Sequence, residues 1–247
     1  GVSTVTERGI VYSTSPDPTT ADNKITDAGS GTGSFVSNIT GLSSSTTYYV
    51  KAYAVNSEGT AYGTQKTFTT LCDVISTLPF NEDFEGGTIP NCWDNDYGAA
   101  NYGWEVGTDG SSSYFSIPSH TTYAYVNDDA CNCDMSSVRL STVPFDFTNY
   151  TNLEMTFESY AYNDVFTIQY STDGGTTWSD LTSINANSAW TSETVDLSAL
   201  DGNNSVILAF HYSDNSAWGY GWAIDDIQIT GMASATYTAT FTVTDAS

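Results

Sequence analysis

The sequence predicts an all-β protein built from two successive β-sandwiches. Three observations carry this. Apolar residues alternate at period two along the hydrophobic segments, and no stretch repeats with the spacing of an amphipathic helix. Clusters of Gly, Pro, Asp, Asn and Ser punctuate the strand-like runs at short intervals. Ser, Thr and Tyr abound while Lys, Arg and Met are scarce, the balance of an extracellular β-protein. At 247 residues the chain can hold one large β-domain or two ordinary ones.

Residues 1–70 contain the runs "ERGIVYS", "GSFVSNIT", "TTYYVKAYAVNS" and "AYGTQKTFTT". In the third, Tyr48, Val50, Ala52 and Ala54 form an apolar face, and Tyr49, Lys51 and Tyr53 a mixed one. The stretch from Asn38 to Gly63, with Leu42, Tyr48 and Asn56, together with "ERGIVYSTSPDPT", resembles a fibronectin type III domain. The resemblance implies an immunoglobulin-like sandwich. A complete one needs about seven strands and ~100 residues, so 1–70 is read as a partial domain.

Residues 71–79, "LCDVISTLP", read as a linker. The runs "FNEDFE", "YAYVND", "LEMTFESYAY", "VFTIQYST", "SETVDLSAL", "SVILAFHYS" and "WAIDDIQI" then fill 80–231. Their number and spacing predict an antiparallel two-sheet sandwich, a jelly roll, in a domain spanning 71–231. Gly231 is read as a break. The alternating "ATYTATFTVTDAS" at 235–247 reads as the first strand of a following domain, so 232–247 is set apart. A lone strand is an edge-pairing liability. Residues 235–247 are therefore expected to exchange with the incomplete first domain, in the same or a neighbouring chain. The chain as a whole is expected to be a slice of a longer precursor.

Charge excludes several function classes. The chain carries 29 acidic and five basic residues, for a formal charge of −24. Arg8, Lys24, Lys51 and Lys66 all precede residue 70, which leaves Arg139 as the one cation among the remaining 24 carboxylates. Such a surface repels phosphate, so neither nucleic acid nor anionic lipid is an expected partner. No apolar run reaches the ~18–20 residues of a membrane span. Divalent cations suit this surface.

Four cysteines, Cys72, Cys92, Cys131 and Cys133, allow three connectivities. Cys72 and Cys92 flank a candidate strand and could close a loop of about 20 residues, worth roughly 3 kcal/mol in the chain-entropy account. Cys131 and Cys133 are too near for an ordinary cross-strand bridge, though a local disulfide is open to them.

Two carboxylates interrupt an otherwise apolar strand in "WAIDDIQI" (222–229). Alternation places Ala223, Asp225, Ile227 and Ile229 on one face and Trp222, Ile224, Asp226 and Gln228 on the other. Asp225 thus sits among apolar side chains, where an unpaired charge is costly. Metal coordination or several backbone N–H groups would satisfy it. "FNEDFEGG" (80–87) opens the same domain with a second acidic group. First and last strands of a jelly roll commonly adjoin, so the two groups are expected to meet. Hard oxygens in that number suit calcium.

"LPFNEDFEGGTIPNCW" at one end and "GYGWAIDDIQI" at the other resemble the cleaved-adhesin or choice-of-anchor J family, related to MAM-type jelly rolls. The resemblance covers about 71–231. It implies a non-catalytic module of secreted or surface proteins, often bearing structural calcium. By position, the family's terminal acidic pairs fall on Asp83, Glu85, Asp225 and Asp226, with Glu82 a rival because bulges swap faces. Asp94 and Asp96, in the acidic stretch "DNDYGAANYGW", form a candidate second metal site that lacks full EF-hand spacing.

"STDGGTTW" (171–178) matches an Asp-box and is read as a structural hairpin tip. His120 and His211 show no catalytic partner in the sequence and are read as structural or exposed. There is no Ser-His-Asp ordering, HExxH or phosphate loop. Tyr102, Trp104, Trp218 and Tyr220 lie in loop-like contexts and are candidate ligand-stacking residues, for a glycan or protein ligand not yet identified. The expected function is a non-catalytic, calcium-stabilised adhesion or spacer segment, extracellular or on the cell surface. The alternatives are a carbohydrate-binding accessory module and an accessory module of a secreted protease.

Overall fold

The structure, a computed structural model, describes residues 3–29, 31–98, 102–131, 133–162 and 165–234. The chain divides into two compact units, one ending at Asp73 and one beginning at Val74. Both are built from β-strands, as the alternation predicts. The expected strand at 235–247, and its exchange with another domain, lie outside the described residues.

The first unit holds β1 (Glu7–Ser13), β2 (Asn23–Thr26), β3 (Thr47–Asn56), β4 (Gly59–Tyr62) and β5 (Lys66–Thr69). They form one antiparallel sheet in the order β2-β1-β3, with β4 and β5 sharing the far edge of β3. The predicted run "GSFVSNIT" forms no strand; "NKIT" does, paired to β1. The two-face reading of β3 is also corrected. Tyr48 and Tyr53, of opposite parity, are its buried residues. Tyr48 packs on Tyr12 and Phe68, whereas the Tyr53 hydroxyl donates to Glu7 Oε1 at 2.7 Å on the other face. Gly9 makes room there, since a Cβ would press on the Tyr53 ring.

The second unit contains β6 (Phe80–Glu82), β7 (Asp94–Asp96), β8 (Glu105–Gly107), β9 (Tyr123–Asn127), the short helix α1 (Asp128–Cys131), β10 (Val138–Ser141), β11 (Tyr150–Tyr162), β12 (Val165–Ser171), β13 (Ser179–Ile184), β14 (Thr191–Asp196), β15 (Ile207–Ser213) and β16 (Gly221–Ala233). One sheet runs β13-β12-β15-β10-β7. The other runs β14-β11-β16-β9-β8, with β6 also paired to β16. Between them lies a continuous core in which Trp104, Phe157, Phe166, Phe210 and Trp222 pack largely edge-on. The first and last strands do adjoin: Phe80, Asn81 and Glu82 pair with Ile229, Gln228 and Ile227.

Two expectations about β16 are corrected. Gly231 is not a break. The strand continues through it, with Met232 and Ala233 paired to Thr151 and Tyr150. A Cβ at Gly231 would crowd Leu153 and Leu78, so the glycine marks a close approach. The strict alternation also fails. The pairing shifts between Thr156/Gln228 and Glu158/Asp225, and Asp226 has φ 49°. This is a β-bulge with one extra residue on β16. Trp222 and Ile224 before it, and Ile227 and Ile229 after it, consequently all face the inter-sheet core. Ala223 faces outward into a smaller cluster with Phe115, Ile117, Tyr123 and Tyr160.

Candidate functional site

Asp225 lies on the outward side of the sheet, yet it is fully buried. The segment His120–Thr122 covers it. Its Oδ2 accepts from Thr121 Oγ1 at 2.9 Å and lies 2.9 Å from His120 Nδ1; its Oδ1 accepts the Asp226 N–H at 2.8 Å. His120 in turn packs against Trp190, ring centroids 4.1 Å apart. The next residue reaches the other acidic group: Thr122 N donates to Glu85 Oε1 at 3.0 Å and Thr122 Oγ1 to Oε2 at 3.3 Å. Carboxylates from both ends of the unit thus meet one shared peptide segment. His120, read as structural or exposed, is the ring that lies against this buried carboxylate. Nothing in its sequence neighbourhood signals this, because the contact spans most of the unit.

The remaining acidic residues of the group are placed differently. Asp83 Oδ1 accepts the Glu85 N–H at 3.1 Å, and Glu82 Oε1 accepts the Phe84 N–H at 2.8 Å, both tightening the turn after β6. Asp226 is exposed at the bulge. Burial, aided by the Asp83 and Asp225 charges, holds Glu82 above its ordinary pKa against the hydrogen bond from Phe84 N. Burial likewise raises Asp225, with Asp226 adding to it and the Asp226 N–H, Thr121 and His120 opposing it. Among the described residues, no three His, Cys, Asp or Glu side chains gather in the geometry of a metal site.

For the candidate second metal pair, the surroundings differ from those expected. Asp94 and Asp96 lie on the edge strand β7 rather than in a loop. Asp96 is already engaged: Oδ1 accepts the Gly98 N–H at 2.9 Å and Oδ2 lies 3.5 Å from Arg139 Nη1. Arg139 also donates from Nε to Gln169 at 2.9 Å and stacks on Trp178, 4.8 Å from the ring centroid. Trp178 ends the Asp-box hairpin. There Asp173 accepts from Thr177 N at 2.9 Å and from the Thr177 and Ser171 hydroxyls, which draw its pKa down to about 2. Gly174 and Gly175 supply the positive φ the tip requires. These contacts are those of a structural turn.

The four candidate stacking residues divide. Trp104 is 2% exposed in the centre of the core and offers no face to a ligand. Its backbone is held by Asn95, whose side chain bonds both Trp104 N and O, and this draws the indole inward. Tyr102 is half-buried against the same core. Trp218, by contrast, is 63% exposed. Tyr220 packs beside the outer cluster with its ring edge-on to Tyr162 at 4.9 Å. Cys131 and Cys133 form a disulfide with each other, and Cys72 and Cys92 are disulfide-bonded as well.

No protein-family model matches the chain. Among curated proteins it is similar to bacillopeptidase F of Bacillus subtilis (strain 168), 28% identical over 166 residues. That match covers 64% of this chain but only 11% of the relative. Among solved structures it is similar to the K1 cleaved adhesin domain of Lys-gingipain from Porphyromonas gingivalis W83, at 19% identity and TM-score 0.48, covering 64% of this chain and 100% of that one. The K2 cleaved adhesin domain of Lys-gingipain gives 17% identity and TM-score 0.47, over 62% of this chain and 99% of that one. A carbohydrate-binding module solved with β-1,4-galactotriose gives 12% identity and TM-score 0.41, over 61% and 94% of the two chains.

Proposed function

We propose that this chain is a non-catalytic, calcium-stabilised adhesion and spacer segment of a larger extracellular or surface protein. The observation that carries the reading is the closure of the second unit. Its first and last strands pair in one sheet, and the acidic groups beside them converge on residues 120–122. A unit closed in this way can be strung in series with others. The oxidised cysteines support an oxidising compartment.

Calcium belongs to the proposal at Asp83, Glu85, Asp225 and Asp226. Its support is electrostatic. Glu82 and Asp225 are both held above their ordinary pKa, and a divalent ion beside them would relieve that cost. Asp225 and Glu85 already accept bonds from Thr121 and Thr122, so the ion would take over part of that bonding. The test is thermal unfolding of the whole chain in calcium and in chelator. At a calcium concentration a hundredfold above Kd, stabilisation of about 2.7 kcal/mol is expected, lost in Asp225→Asn. Identical melts with and without chelator would remove calcium from the reading.

A second reading, an accessory module of a secreted enzyme, has two supports. Trp218 and Tyr162 are exposed aromatic residues of a kind that stacks on sugars. The similarity to a stretch of bacillopeptidase F allows a place beside a protease. Sequencing the flanking parts of the precursor separates the readings: an adjoining catalytic domain marks an accessory module, and adjoining β-domains mark an adhesion and spacer segment.

A further inference from the structure

The loop between β15 and β16 separates two clefts. On one side is a cavity of about 350 Å³ lined by Asp128, Asp134, Asp214, Ser216 and Trp218, with Gly219 in its wall. On the other is a cleft of about 530 Å³ lined by Tyr162, Asn187, Ser188 and Tyr220. Gly219 lines the first cleft and Tyr220 the second, and the two residues are consecutive, so the clefts are neighbours. Two aromatic side chains stand open at them: Trp218 is 63% and Tyr162 41% exposed.

This dividing loop is built rather than loose. The Tyr220 carbonyl accepts from Asp128 N at 3.0 Å and Asp129 N at 3.3 Å. Asp214, nearly buried, accepts from Met135 N at 3.0 Å and Ser216 N at 2.8 Å, and its carbonyl accepts from Ala217 N at 3.0 Å. Asn187 anchors the opposite wall, accepting from Ala161 N at 3.1 Å and donating to the Ser159 carbonyl at 3.3 Å. An aromatic face beside fixed carboxylate and hydroxyl acceptors is a surface already organised for a ligand.

We infer that these paired clefts bind a neutral oligosaccharide, with Trp218 and Tyr162 stacking on sugar faces and Asp128 and Asp214 accepting sugar hydroxyls. This rests on reading the second unit as a binding module, and it names the ligand class and the place. Sugar rings present C–H faces to aromatic planes and hydroxyl donors at their rims. Carboxylates keep spare lone pairs after one or two hydrogen bonds and can accept those donors. No Lys or Arg lines either cleft, and the unit's Arg139 is committed to Gln169 and Trp178. Uronates and sulfated sugars therefore meet like charge in the first cleft and no balancing charge in the second, and neutral chains are selected. Two adjoining clefts suit more than one sugar unit.

The test is native affinity electrophoresis of the whole chain through gels containing xylan, galactan, mannan or β-glucan, with polygalacturonate as the anionic arm. Retardation by at least one neutral polysaccharide is expected. Trp218→Ala and Tyr162→Ala should each weaken it by about tenfold or more without changing the melting temperature. No retardation in any neutral gel would overturn the inference, as would retardation by polygalacturonate alone or retardation untouched by both substitutions. If retardation survives both substitutions and the chain still adheres to mucin-coated surfaces, the site is wrong while the adhesion reading stands. Release of reducing sugar would instead sink the non-catalytic reading.

Discussion

His120 Nδ1 and Asp225 Oδ2 lie 2.9 Å apart, with Thr121 Oγ1 within 3.1 Å of the same nitrogen and 2.9 Å of the same oxygen. This three-way contact joins the β8–β9 side of the unit to its last strand beneath Trp190.

The pH dependence follows from the carboxylates around that contact. Glu82 and Asp225 titrate higher in the folded state than in the unfolded chain. Between the unfolded and folded pKa values the native state binds more protons, so stability falls as pH rises through that window. In chelator, the melting temperature should be highest at mildly acidic pH and decline toward neutrality. Glu82→Gln and Asp225→Asn should flatten the decline. A rise in stability from pH 4.5 to 7 in chelator would contradict the assignment. Asp173 works in the opposite sense. Its depressed pKa gives stability present above the ordinary Asp range and lost as pH falls toward about 2.

The bulge at Asp226 predicts an inverted substitution pattern. Its φ of 49° is a left-handed conformation that Asp tolerates and β-branched residues do not. Asp226→Val should cost about 1–2 kcal/mol, although β-propensity favours valine in a strand. Asp226→Gly should be neutral or stabilising by up to about 1 kcal/mol. Denaturant melts of the two variants check the sign, and equal losses would argue against the bulge.

Two tryptophans that look alike in sequence should behave oppositely. Trp104→Ala removes the 2%-exposed indole from among Trp222 and Phe210 and should cost about 3–5 kcal/mol. Trp218→Ala removes a 63%-exposed one and should change stability by no more than about 0.5 kcal/mol. Chemical unfolding of both proteins gives the comparison.

Much of the architecture was legible in the sequence because long strands advertise themselves. β11, β12, β15 and β16 are long runs rich in apolar residues, and each was found. β7 and β8 are three residues long and β10 four, too short for periodicity to rise above chance. The adjacency of the acidic ends was also legible, through the motifs at 80–87 and 222–229. What surrounds them was not. Counting by two cannot register an extra residue, so the bulge at Asp226 displaced the face assignment of Ile227 and Ile229. The role of His120 depends on a loop folding over the outside of the sheet, and composition and spacing hold no record of that. Trp104 and Trp218 sit in similar glycine-rich surroundings, and the bonds from Asn95 that draw Trp104 inward are a tertiary fact.

The antiparallel pairing of β6 with β16 has a mechanical meaning. The chain enters β6 at Phe80, opposite Ile229, and β16 runs on past that point to Ala233. Tension along a string of such units would act on both strands at the same end and open their rungs one after another: Phe80 from Ile229, then Asn81 from Gln228, then Glu82 from Ile227. Glu82, whose charge is coupled to Asp225, stands at the last of these rungs. The acidic group thus guards the point at which peeling of an edge would become rupture of the sheet.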